Sequence, residues 1–164
     1  MRRQEAEKLI GKKVLAWTGL NGTYIGDLVR LTDSRPWRGE VRILAVSDYP
    51  THGVSLMGGW KKRTPFREGE VRDFGNASIR LYEGDVPTYA DSVRMALDRD
   101  LAKFREYLDR AQRVEAYQKD LWWLEKTVQG LAEQRAALDA PSDQTTTMPD
   151  TRENESDAEI AAHS

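Results

Sequence analysis

The chain has 164 residues, 39% of them hydrophobic and 32% charged, with a net charge of −2 and no cysteine. That length holds one modest domain plus extensions, and so polar a balance implies that part of the chain has no core of its own. The missing cysteines exclude disulfides, thiolate catalysis and cysteine-ligated zinc, and the near-neutral net charge excludes a uniformly basic nucleic-acid binder.

The charge is unevenly spread. Residues 1–88 hold 15 Lys/Arg against 11 Asp/Glu, whereas residues 89–164 hold 10 against 16. A basic head and an acidic end suggest different partners, or an acidic tail that shields a basic surface. The opening residues from Met1 to Lys8 lead only into Leu9-Ile10 before Gly11, without the apolar run of a signal peptide. No window approaches the ~18 apolar residues that span a bilayer. The expectation is a cytoplasmic protein with no membrane partner.

In chain order, residues 1–10 read as a short N-terminal helix with Ala6, Leu9 and Ile10 on one side, ended by Gly11. Val14–Trp17 reads as a strand. Gly19-Leu20-Asn21-Gly22 reads as a turn, because Asn-Gly supplies the positive φ a hairpin requires. Tyr24–Leu31 is a second strand with Ile25, Val29 and Leu31 sharing a face with Asp27. After the loop Thr32–Pro36, Arg38–Val46 is a third strand, with Val41, Ile43 and Ala45 on one side and Leu44 and Val46 on the other. Val54–Met57, the neighbourhood of Val71, and Ile79–Tyr82 are candidate short strands. Short strands separated by Gly-rich turns, with no helix between them, point to a small barrel or sandwich.

The period changes after Val86-Pro87. Thr88 has the chemistry of a helix N-cap, with Asp91 three residues later. Leu97, Leu101, Phe104, Leu108 and Ala111 keep a 4-3-4-3 spacing, and Val114, Tyr117, Leu121, Leu124, Val128, Leu131 and Leu138 continue the stripe. The phase shifts in the middle, so either one long helix is overwound there or two helices meet near Arg113–Tyr117. Beyond Ala140-Pro141 almost no large apolar residue remains, and such a segment cannot offset the entropy of ordering. The whole reads as an α+β fold: a small N-terminal antiparallel β-barrel over residues 11–86, a long amphipathic helix or helical hairpin over 88–140, and a disordered acidic tail over 141–164.

Leu9-Ile10-Gly11-Lys12-Lys13-Val14, Gly22-Thr23-Tyr24-Ile25-Gly26-Asp27-Leu28 and Gly39–Val46 together resemble the opening strands of PRC-type barrels. Gly22 and Gly26 also resemble the KOW motif of ribosomal and transcription proteins, from which their four-residue spacing departs. The resemblance implies a barrel that docks on protein or RNA, and it transfers no functional residue.

Two segments carry the strongest binding chemistry. In Gly59–Arg67, the cations Lys61, Lys62, Arg63 and Arg67 accompany Trp60 and Phe66; Arg35, Trp37 and Arg38 repeat the combination on another loop. Cations neutralise phosphates and aromatic rings stack on unpaired bases, and a similar patch suits an acidic protein. If both loops lie at one barrel end they form a basic-aromatic patch; otherwise the aromatics plug the barrel and the charges are solvated. The helical stripe supplies candidate interface residues: Leu101, Phe104, Leu108, Leu121, Trp122, Trp123, Leu124 and Val128. Adjacent Trp122 and Trp123 lie 100° apart on a helix and cannot share a narrow seam. Aromatics are favoured interface anchors.

Catalytic chemistry is sparse. His52 has Asp48, Ser47 and Ser55 nearby, but a triad is defined by geometry rather than by proximity along the chain, and no Gly-x-Ser-x-Gly elbow is present. Two histidines, one of them His163 in the tail, do not make a metal site. Gly19–Thr23 lacks the lysine of a phosphate loop. The sequence therefore implies no cofactor, no metal and no enzyme. It implies an interaction module whose barrel docks on a macromolecular partner and whose helix self-associates or contacts protein. The alternative is a nucleic-acid-binding accessory protein.

Overall fold

The computed structural model describes residues 2–54, 60–114 and 121–140. Most of the candidate strand at Val54–Met57, the residues 115–117 of the helical junction, and the acidic tail lie outside the described residues. The elements follow in the order α1 (Arg3–Glu7), β1 (Lys13–Trp17), β2 (Thr23–Leu31), β3 (Arg38–Asp48), β4 (Gly53–Val54), β5 (Trp60–Lys61), β6 (Val71–Gly75), β7 (Ile79–Leu81), α2 (Tyr89–Gln112) and α3 (Leu121–Asp139). The fold is α+β.

Five strands form one antiparallel sheet in the order β6-β3-β2-β1-β7, and β4 pairs with β5. The sheet's two edge strands, β6 and β7, are joined by a single 3-10 turn at Asn76–Ser78. A flat five-stranded sheet would hold its edges about 19 Å apart at ~4.8 Å per strand. The four Cα steps from Gly75 to Ile79 reach at most about 14 Å. The sheet must therefore curl until its edges approach, which gives the barrel-like form.

The β1–β2 hairpin pairs Trp17 with Thr23. Its turn is longer than a two-residue Asn-Gly loop: a 3-10 turn fills Gly19–Asn21, and the positive φ angles fall on Gly19 (46°) and Gly22 (94°). The β2–β3 register shifts at three places, one of them between Ile25 and Gly26. There the strands approach so closely that a Cβ on Gly26 would collide with the Arg42 carbonyl and the Val41 side chain.

The core face of β2 is not the one its apolar residues Ile25, Val29 and Leu31 mark. Tyr24 and Leu28 are fully buried, whereas Val29 and Leu31 are only half-buried. Tyr24 and Leu28 join Val14, Val41, Ile43, Phe74 and Ile79 in the core. Ile25 and Val46 are also buried, and they line a cleft with Ala96 of α2. The middle of the sheet is thus covered on both faces, and no strict apolar-polar alternation survives there.

Thr88 caps α2 as expected: its hydroxyl oxygen accepts the Asp91 backbone N–H at 3.2 Å and donates to the Asp91 carboxylate at 2.7 Å. The apolar face of α2 places Val93, Ala96, Leu97 and Leu101 in the core, and the Ser92 hydroxyl oxygen accepts the Val46 backbone N–H at 2.9 Å. The helical region is a hairpin. Asp98 pairs with Arg135 at 2.7 Å and Arg94 with Asp139 at 3.7 Å, while Phe104 meets Trp123 with ring centroids 6.4 Å apart. Falling numbers on α2 meet rising numbers on α3, so the two run antiparallel. A single rod of some 75 Å is excluded.

Helix α3 rests on the β4–β5 segment through Gly130. A Cβ there would lie 2.6 Å from the Trp60 ring, so the absence of a side chain lets the indole lie against the helix backbone. Gly→Ala inside a helix ordinarily stabilises by about 1 kcal/mol, but overpacking a fitted contact costs about 1–3 kcal/mol. Gly130→Ala is therefore expected to lower the melting temperature despite the propensity gain. A rise in melting temperature would show that the indole does not bear on the helix.

Candidate functional site

The segment from Trp60 to Arg63 is pinned to α3 by polar contacts. The Trp60 indole N–H donates to Thr127 Oγ1 at 3.1 Å, and the Thr127 hydroxyl donates in turn to the Trp123 carbonyl at 2.8 Å. The Arg63 backbone N–H donates to His52 Nδ1 at 3.1 Å. Nδ1 must then carry no proton, so Nε2 bears it and donates to Gln134 Oε1 at 2.9 Å. The Gln134 amide nitrogen donates to the Arg63 carbonyl at 3.0 Å. Both backbone groups of Arg63 are thereby satisfied by one ring of three hydrogen bonds joining His52 just before β4, the loop after β5, and α3. The His52 ring also lies edge-on to Trp60 and Tyr49, at 5.5 and 6.0 Å.

His52 is buried, and burial, the largest cause, holds its pKa below the ordinary histidine value; Lys62 and Arg63 act in the same direction, and the Gln134 bond opposes them. Both ring nitrogens are engaged, and Asp48 pairs with Arg99 at 3.0 Å. The imidazole is therefore a neutral structural connector rather than a base poised for proton transfer. Among the described residues no group of three or more His, Asp or Glu side chains is placed to hold a metal ion.

The other candidate binding residues separate. The Arg35–Arg38 loop lies at the start of β3, where the Arg38 guanidinium donates to the Asp73 carbonyl at 3.1 Å. The Trp60–Arg63 segment lies beyond the far end of β3, where Arg63 donates to Asn21 Oδ1 at 3.1 Å. Eleven residues of strand separate the two loops, so they do not form one patch. Their aromatics are also occupied. Trp37 is buried in the core, Trp60 lies on Gly130, and Phe66 stacks on Tyr24 at 4.9 Å with Arg72 over its ring at 4.8 Å. Lys61, Lys62 and Arg67 remain exposed, as does Arg35; Arg63 is half-buried.

The stripe residues are distributed along the hairpin. Leu101 and Leu124 are buried, Phe104, Leu108, Leu121, Trp123 and Val128 are half-buried, and Trp122 is 45% exposed. Tyr107 and Val114 are exposed to 41% and 42%, and like Trp122 they lie toward the hairpin end away from the Arg94–Asp139 contact. Composition and periodicity do not single out Thr127, Gly130 and Gln134. Their i, i+3, i+7 spacing puts two polar residues and a glycine on one helical face beside the leucine stripe, and that interruption is the available signal.

The class these features define is a curled five-stranded antiparallel sheet carrying an antiparallel helical hairpin. Among solved structures, the chain is similar to the X-ray crystal structure of kinase-associated protein B from Bacillus cereus. The TM-score is 0.57 and the identity 23%, over 80% of this chain and 97% of that one. That likeness concerns the fold. No family model matches the chain, and no curated protein matches it.

The His52 ring carries a pH prediction. A histidine whose folded pKa is lowered is protonated first in the unfolded chain, so its contribution is complete above about pH 6.5 and is lost as the pH falls below that value. Urea midpoints measured from about pH 7.5 down to pH 5 should fall in the wild type, and His52→Gln should flatten part of that slope. An unchanged slope in the variant would mean that His52 does not titrate with folding.

Proposed function

We propose that this protein is a non-catalytic protein-interaction module. The curled sheet is the rigid base, and the distal end of the α2–α3 hairpin makes the contact. The observation that carries the reading is the exposure of Trp122, Tyr107 and Val114, each toward that end. Large aromatics left open on a rigid helical scaffold are the residue type that anchors interfaces, because they bury much area for little lost side-chain entropy. The engagement of both His52 nitrogens supports the non-catalytic half of the proposal. The similar Bacillus cereus protein is named for its association with a kinase; at 23% identity that name does not choose a partner for this chain.

Self-association through the leucine stripe has less support, since Leu101 and Leu124 are buried within the chain. The nucleic-acid alternative keeps the exposed Lys61, Lys62 and Arg67. It lacks free ring faces for base stacking, because Trp37, Trp60 and Phe66 are all engaged in packing.

A photo-crosslinking residue at position 122 tests the reading in cells that express the full chain. One protein species should be captured, and in a binding assay with that species Trp122→Ala with Tyr107→Ala should weaken affinity by about tenfold or more, some 1.4 kcal/mol or above. The melting temperature should stay within a few degrees of wild type. A captured second copy of the chain would turn the module into a dimeriser. Unchanged affinity in the double variant would remove the hairpin end as the contact. Submicromolar, salt-sensitive binding of labelled DNA or RNA that is lost on Lys61→Glu with Lys62→Glu would favour the nucleic-acid alternative.

A further inference from the structure

The chain leaves α3 beside a row of cations. Gln134, about one and a half turns before the helix ends, holds the Arg63 carbonyl. Asp139, at the end of α3, pairs with Arg94 of α2, and Tyr89 at the start of α2 donates its hydroxyl to the Phe66 carbonyl. The segment from Arg63 to Phe66 therefore runs alongside the exit of α3, with Lys61 and Lys62 before it and Arg67 after it. Among the described residues, no ion pair reaches Lys61, Lys62, Arg63 or Arg67. Of the acids near the row, Glu70 pairs with Arg72 and Asp48 with Arg99, and Glu68, next to Arg67, is exposed.

The residues that follow Ala140 have the complementary charge. Positions 141–164 contain Asp143, Asp150, Glu153, Glu155, Asp157 and Glu159 against the single cation Arg152. The ten residue steps from Ala140 to Asp150 can span at most about 35 Å. The acids from Asp150 onward therefore fall within reach of the cation row, as a tethered ligand whose effective concentration is on the order of millimolar. Each pair is weak alone, and several along one row add up.

We propose that the acidic segment 141–164 docks in cis on the Lys61–Arg67 row of its own β-domain. It occupies that surface by charge and is displaced by a competing polyanion or by salt. The contact is electrostatic and needs no fixed conformation of the segment. The row is a separate surface from the hairpin end, so the inference does not depend on the proposed function.

The chain contains no cysteine, so Ser156→Cys in the full-length protein gives a single site for a nitroxide. Amide NMR intensities should fall strongly over residues 61–67 at low salt. They should recover at about 1 M salt, where the Debye length is about 3 Å, and in the tail variant Asp150→Asn, Glu153→Gln, Glu155→Gln, Asp157→Asn, which leaves the folded domain untouched. Lys61→Glu, Lys62→Glu, Arg67→Glu should abolish the effect equally. Isotope-labelled protein mixed with nitroxide-labelled, unenriched protein should show none, as docking in cis requires. Full intensity over 61–67 at low salt, broadening that ignores both charge variants, or broadening present in the mixture would each overturn the proposal.

Discussion

The seating of α3 on the β-domain depends on the part-buried contact between α3 and the β4–β5 segment. Three hydrogen bonds close a ring through His52, Gln134 and the backbone of Arg63, and next to it the Trp60 indole lies on Gly130 and donates to Thr127. A polar ring of this kind, with His52 buried and its partners half-buried, matters more for what its absence would cost than for its net gain. Removing Gln134 leaves the His52 Nε2–H and the Arg63 carbonyl without their partners, at up to about 1–3 kcal/mol for the buried group. Because the partners must match in geometry as well as polarity, the ring selects one register of α3 on the sheet, which an apolar contact alone would not.

That register sets the direction of the hairpin and hence what it displays. With Gln134 and Thr127 turned to the β-domain and Leu124 and Leu131 buried, Trp122 is left facing outward near the hairpin end that also carries Tyr107. The same register brings the end of α3 against the start of α2 at Arg94 and beside the cation row at Arg63. One joint therefore fixes both exposed surfaces: the aromatic hairpin end, and the basic row beside which the acidic segment begins. His52 has both ring nitrogens engaged in making the joint.

Much of the architecture is legible in the sequence. The strands at Val14–Trp17, Tyr24–Leu31 and Arg38–Val46 follow from local alternation and β-branched content, and Thr88 announces its helix by local capping chemistry. Ile25, Val29 and Leu31 mark the wrong face of β2, because the inward residues are Tyr24, Gly26 and Leu28; a tyrosine and a glycine do not read as an apolar face, although their spacing keeps the period of two. The apolar stripe leaves open whether 88–140 is one helix or two, because it serves either arrangement; ion pairs such as Asp98–Arg135 decide it, and they join residues far apart in the chain. The basic-aromatic loops show the same limit. Their composition can be read, but their position at opposite ends of β3 is a property of the sheet. Trp60 in particular reads as a ligand platform until Gly130, far along the chain, is brought beneath it.

The His52–Gln134–Arg63 ring is the joint on which the placement of the hairpin rests, and hydrogen–deuterium exchange on the full chain reads it segment by segment. Gln134→Ala should show markedly faster exchange than wild type along α3 and over residues 60–66, with the amides of β1, β2 and β3 unchanged. Exchange in α3 that matches the wild type would contradict the role of the ring, and would mean that the hairpin is held by its apolar core alone.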